Sequence, residues 1–163
     1  MLRNGRLISA LLFALGCSCF AHPLLAGHKV KATYIAGNYV ISPAAQFATA
    51  STASLKAYQA ATAIPGAYVV EGKGHSMHPL YQNGTLLVVK PTPFEKLSRG
   101  MSVVFRSHNR LIAHVLVAKT KDGWRTTGLN NRRHDYISVK SKNILGVVVA
   151  AFTPSEALPA HSI

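Results

Sequence analysis

The segment Gly74-His-Ser-Met-His-Pro-Leu80 concentrates groups capable of chemistry. A serine hydroxyl is a weak nucleophile until a neighbouring base takes its proton, so Ser76 needs a partner from elsewhere in the chain. A glycine-preceded turn exposes Ser76 and leaves its backbone N–H free to support an oxyanion. Imidazoles abound nearby: His75, His78, His108 and His134 invite a zinc reading. Such a site would have to gather histidines from distant segments without cysteine or acidic help, so no metal and no cofactor is expected. His114 sits inside the apolar run Leu111–Ala118, where a histidine taken alone reads as a satisfied core residue.

The acids narrow the chemistry further. Glu71, Glu95, Asp122, Asp135 and Glu156 are the only carboxylate side chains. Calcium and magnesium cages need several oxygen ligands, and glycosidases need two acids flanking one bond, so both classes are disfavoured. The two cysteines, Cys17 and Cys19, fall in an apolar leader, leaving none to staple the chain that follows.

Short β-branched runs separated by turns must hold these residues in place. Strands are predicted at Ala67–Val70, Leu86–Val89, Val103–Phe105, Leu111–Ala118, Trp124–Thr127 and Ile144–Phe152. Asn83-Gly84 and Asp122-Gly123 are turn dipeptides, the second closing a hairpin. This texture reads as an all-β domain over 67–153, curled into a half-barrel, with a tail at 154–163. Upstream, the residues around Gly37-Asn38 read as short extended pieces. Ser42-Pro43 reads as the cap and first turn of a helix running to Ala63, carrying Phe47, Leu55 and Tyr58. Residues 27–66 are thus expected to act as a linker with one helix.

Over nearly all of 67–152 the chain resembles type I signal peptidases, which share their fold with the peptidase domains of self-cleaving SOS repressors. Gly74, Ser76, Met77 and Pro79 match the nucleophile motif, and Asn83-Gly84 with Leu86–Val89 matches the turn and strand after it. Phe94–Gly100 before Ser102-Val-Val-Phe105 resembles the glycine-led buried strand, and Leu111-Ile-Ala-His-Val115 falls where the general base stands. Trp124–Asn131, then Asp135, then Ile144-Leu-Gly-Val147 resemble the closing segment.

The resemblance implies a serine endopeptidase that cuts after small residues in exported or leader peptides. In it Ser76 is the nucleophile, His114 the base and Asp135 the acid that orients the imidazole. A histidine base resembles the branch found in the endoplasmic reticulum, archaea and some bacteria; an unperturbed imidazole is largely neutral near pH 7 and accepts a proton. Two departures stand out. The family's Gly-Asp-Asn-Asn is here Gly128-Leu-Asn-Asn131, which removes one acid, and its His-Arg is His114-Val115. A catalytically silent peptide-binding member of the cell envelope is the alternative. A repressor-type self-cleaving peptidase is a weaker one, because no helix-turn-helix pair precedes Ala67.

Charge and leader bear on location. Lys and Arg number 18 against 5 acids, a formal +13. Such an excess suits an anionic membrane surface or nucleic acid, and without a DNA-binding motif the membrane is the expected partner beside the peptide substrate. Arg3 and Arg6 precede the short apolar run Leu7–Ala21, the order of a secretory signal. Residues 1–26 are therefore expected to be a signal peptide or short anchor, placing the domain in the periplasm or on the outer face of the cytoplasmic membrane.

Overall fold

The computed structural model describes residues 31–155. The expected leader with its two cysteines and most of the expected tail lie outside these residues.

Two strands, β1 (Thr33–Ile35) and β2 (Asn38–Val40), open the described chain as a hairpin. Its turn is Ala36-Gly37, one residue before the expected pair. Both have positive φ, 48° and 77°. Two left-handed residues in succession match the right-handed twist of the flanking strands. The hairpin drops Val40 fully into the core.

The principal sheet runs in the order β4 (Tyr68–Glu71), β5 (Leu86–Lys90), β9 (Ile144–Pro154), β6 (Ser102–Ser107), β7 (Arg110–Thr120), β8 (Gly123–Thr127). All six predicted strands are present, several longer than expected. β9 is the hub: it pairs antiparallel with β5 and with β6, and parallel with β3 (Gln46–Ala48). Register shifts at Val88/Val89, Val104/Phe105 and Leu116/Ala118 mark bulges or irregularities in its ladders. Extra residues of this kind increase local twist and bend a sheet, which favours the expected curl.

Burial on both faces explains why the strands read as continuous apolar runs instead of alternating ones. Leu87 and Val89 enter a core with Val104, Val115 and Val148, whereas Val88 packs under the helix with Phe152. Val103, Phe105 and Leu116 fill a second core with Trp124 and Val139.

The helix, α1 (Ala50–Thr62), is capped seven residues later than expected, by Thr49 and not by Ser42. Its cap is Thr49, whose hydroxyl accepts from the Thr52 N–H. Ser42 is buried instead: its Oγ accepts from the Ser102 N–H and donates to the Gly100 carbonyl at 3.2 Å. A serine before proline suits a helix cap, but the Gly100 carbonyl and the Ser102 N–H at the start of β6 take its hydroxyl instead, and the chain runs on into β3 without a helix. α1 then buries Ala53, Ala57 and Ala61, whose small side chains let it lie close on β5 and β9, and leaves Leu55 and Tyr58 exposed. Within residues 31–66, β3 thus pairs with the principal sheet and α1 packs on it.

Candidate active site

Met77, Leu80 and Tyr81 anchor the loop after β4 by inserting into the first core. Gly74, at φ +93°, donates its N–H to the Asn83 side-chain carbonyl at 2.8 Å, closing the loop against the Asn83-Gly84 turn. Between these fixtures stands Ser76, half-buried. Its carbonyl accepts from the Asn130 N–H at 2.8 Å, while its own N–H has no hydrogen-bond partner among the described residues.

His114, 5% exposed, projects from β7, opposite Val103 of β6. Its Nε2 lies 3.0 Å from Ser76 Oγ and its Nδ1 lies 2.6 Å from Asp135 Oδ2. An ionised carboxylate only accepts, so Nδ1 carries the proton and Nε2 presents its lone pair to the serine hydroxyl. The structure therefore brings together the three residues singled out from the sequence. They come from three places in the chain: a loop, a strand and the segment following β8.

Asp135 is held by more than the histidine. Its N–H donates to the Thr126 carbonyl at 2.9 Å, and the Thr126 hydroxyl donates to Oδ2 at 2.6 Å. Thr126 is fully buried. Two donors on one carboxylate oxygen fix its orientation and satisfy its charge. Sequence reasoning missed Thr126, because a threonine in a strand is ordinary and nothing nearby ties it to an acid nine residues on.

Gly128 was matched as part of a motif, and its geometry supplies the reason. A Cβ there would lie 2.7 Å from the Ser76 carbonyl oxygen and 2.9 Å from His114 Nε2. The chain passes so close to the Ser–His contact that only hydrogen fits. Leu129, which replaces the family's acid, is 3% exposed and packs in the core that also holds Met77 and Val115. A carboxylate in that apolar setting would lose hydration without a cationic partner. Asp135 accordingly supplies the acid at this site.

Such an arrangement can deprotonate Ser76 as it attacks a carbonyl, store the proton on an oriented imidazole, and offer the Ser76 N–H to the resulting oxyanion. His75, His78, His108 and His134 make no hydrogen bond to it. Among the described residues no three His, Cys, Asp or Glu side chains are grouped to hold a metal ion.

Compared with known families, residues 29–149 match the model described as Peptidase S24-like. The match begins well before Ala67, consistent with the incorporation of the hairpin, β3 and α1 into the domain. No curated protein and no solved structure matches the chain.

Proposed function

The chain belongs to the Peptidase S24-like family, the family of repressor-type and signal peptidase-like serine peptidases, and from this we propose a signal peptidase-like serine endopeptidase. It cleaves after small residues in exported or leader peptides. The observation that carries the proposal is the unbroken relay Ser76 Oγ to His114 Nε2 at 3.0 Å and His114 Nδ1 to Asp135 Oδ2 at 2.6 Å.

In the first step Ser76 Oγ bonds to the scissile carbonyl carbon and its proton passes to His114 Nε2. Asp135 stabilises the imidazolium, and the Ser76 N–H donates to the tetrahedral oxyanion. Collapse breaks the C–N bond, and His114 returns its proton to the leaving amine. Water then adds to the acyl-enzyme, giving its proton to His114, and release of the acid restores the Ser76 hydroxyl. No cofactor enters.

A fluorophosphonate, whose phosphorus is attacked by an activated serine with loss of fluoride to leave a phosphonyl ester, tests this without knowledge of the substrate. Wild-type protein is expected to be labelled at Ser76. Ser76→Ala abolishes labelling, His114→Ala slows it by about 10³-fold or more, and Asp135→Asn slows it less. An unlabelled wild-type chain, or a His114→Ala variant labelled at the normal rate, sinks the mechanism. The setting we propose is extracytoplasmic, because Arg3 and Arg6 precede an apolar run. A reporter fused after Lys31 should be found beyond the inner membrane; its recovery from the cytoplasm contradicts export.

A further inference from the structure

Residues 130–136, which include Asp135 of the relay, line a shallow surface depression open to solvent. The loop's backbone is tied down. Asn130 N–H donates to the Ser76 carbonyl, Asn131 N–H to the Gly128 carbonyl at 3.1 Å, and Asp135 N–H to the Thr126 carbonyl. Thr127 Oγ1 lies 3.4 Å from the Arg133 carbonyl. With the main chain so held, the side chains of Arg132, Arg133 and His134 are exposed, and Tyr136 is 93% exposed.

Arg132 and Arg133 have no anionic partner among the described residues. The loop's one carboxylate, Asp135, is engaged by His114 and Thr126. Among the described residues the one close contact between a basic and an acidic side chain is His114–Asp135. Two consecutive arginines, whose guanidiniums are planar forks matched to carboxylate geometry, thus stand without an anionic partner among the described residues, on the loop that carries Asp135. An ordinary solvated basic surface would scatter such charge; here it sits on a loop hydrogen-bonded to the nucleophile's own carbonyl.

Resting on the peptidase reading, we propose that this loop is an anion-recognising subsite that selects peptides with an acidic side chain close to the scissile bond. A substrate held at Ser76 passes within reach of the depression, where Arg132 and Arg133 pair with the carboxylate. The depression is lined by Asp135 as well as by the two arginines, so it borders the relay, and an extended peptide can lie along it. Each contact is solvent-exposed, so two together give about a ten-fold preference in kcat/KM.

The experiment uses the full chain and a library of blocked peptides that place alanine before the cut. Asp or Glu, or the isosteric Asn or Gln, is set at each flanking position. Cleavage is read by mass spectrometry, and binding to the Ser76→Ala variant by fluorescence anisotropy. Acidic peptides are expected to be preferred about ten-fold at one or two positions at low salt, with the preference shrinking as salt rises. Arg132→Gln/Arg133→Gln should erase it, whereas Lys56→Gln/Lys121→Gln, which removes the same charge elsewhere, should retain it.

Equal handling of acid and amide by a chain whose Ser76 is labelled by fluorophosphonate overturns the subsite and leaves the peptidase reading intact. Failure of Ser76 to label removes the reading, and equal anisotropy for the two peptides then removes the subsite as well. If the double arginine variant loses binding to phosphatidylserine vesicles while peptide discrimination persists, the loop serves a membrane and the proposal is wrong.

Discussion

Gly128→Ala adds one methyl group where the relay has no room. The new Cβ would sit 2.7 Å from the Ser76 carbonyl oxygen, 2.8 Å from Asn131 Nδ2 and 2.9 Å from His114 Nε2. Ordinary contact begins at 3.4 Å, so Ser76 must retreat by 0.7 Å and the imidazole by 0.5 Å (3.4 minus 2.7 and 3.4 minus 2.9). The Asn131 amide can swing away. The Ser76 carbonyl cannot, because it is backbone held by the Asn130 N–H, and the imidazole is clamped between Ser76 and Asp135. Overpacking of this kind costs about 1–3 kcal/mol of stability, roughly a 5–10 °C fall in Tm. A misplacement approaching 1 Å in a relay costs about ten- to a hundred-fold in rate. The assay is the second-order rate of fluorophosphonate labelling at Ser76, with Tm by circular dichroism. Gly37→Ala is the comparison: at φ +77° it bears backbone strain of about 1 kcal/mol, but its Cβ meets nothing within 4 Å and labelling should be unchanged. Labelling of Gly128→Ala at the wild-type rate would refute the argument that the glycine keeps space for the Ser–His contact.

Thr126→Val removes one of the two donors to the Asp135 oxygen and should slow labelling about ten-fold while costing about 1.5–3 kcal/mol. Thr126→Ser should restore most of both, and equal behaviour of the two variants would count against the hydroxyl's role. Gly146→Ala drives a Cβ into the Lys90 carbonyl across the β5–β9 ladder and should lower the urea midpoint by an amount equivalent to about 2 kcal/mol; an unchanged midpoint would show that the ladder gives way freely. Burial raises the Tyr81 phenol pKa above its ordinary 10.0. The unfolded chain therefore gives up this proton at a lower pH than the folded one, and stability present below about pH 10 is lost above it. Tyr81→Phe loses the 2.9 Å bond to the Pro43 carbonyl, about 1 kcal/mol near neutrality, yet should soften the alkaline decline in urea titrations. An identical slope for both chains would contradict that assignment.

Much of this fold is legible in the chain because its signals are local. β-branched runs bounded by Asn83-Gly84 and Asp122-Gly123 specify strands wherever they fall, and each of those predicted is present. The nucleophile turn is legible for the same reason: Gly74, Ser76 and Met77 lie within four residues. The start of α1 misleads because Ser42-Pro43 satisfies every local condition for a helix. Its hydroxyl is instead taken by Gly100 and Ser102, 58 and 60 residues away. Of the apolar residues within the expected helix, Phe47 lies in β3 and, like Leu55 and Tyr58 of α1, is exposed, and the face of α1 that packs is the alanine row.

The sequence by itself determined the residue types available for chemistry: one serine on a glycine-led turn, histidine in place of lysine, few acids, and no cysteine beyond Cys19. Pairing them lay with the tertiary structure. Ser76, His114 and Asp135 are separated by 38 and 21 residues, and no local pattern sets a distance across such gaps. β7 delivers the imidazole, and the Asn130–Ser76 bond ties the loop after β8 to the nucleophile. The unremarked Thr126 orients the acid, while Leu129 is drawn into the core. Those outcomes follow from which surfaces exclude water and which buried polar groups find partners, and both are settled only when the whole sheet has closed.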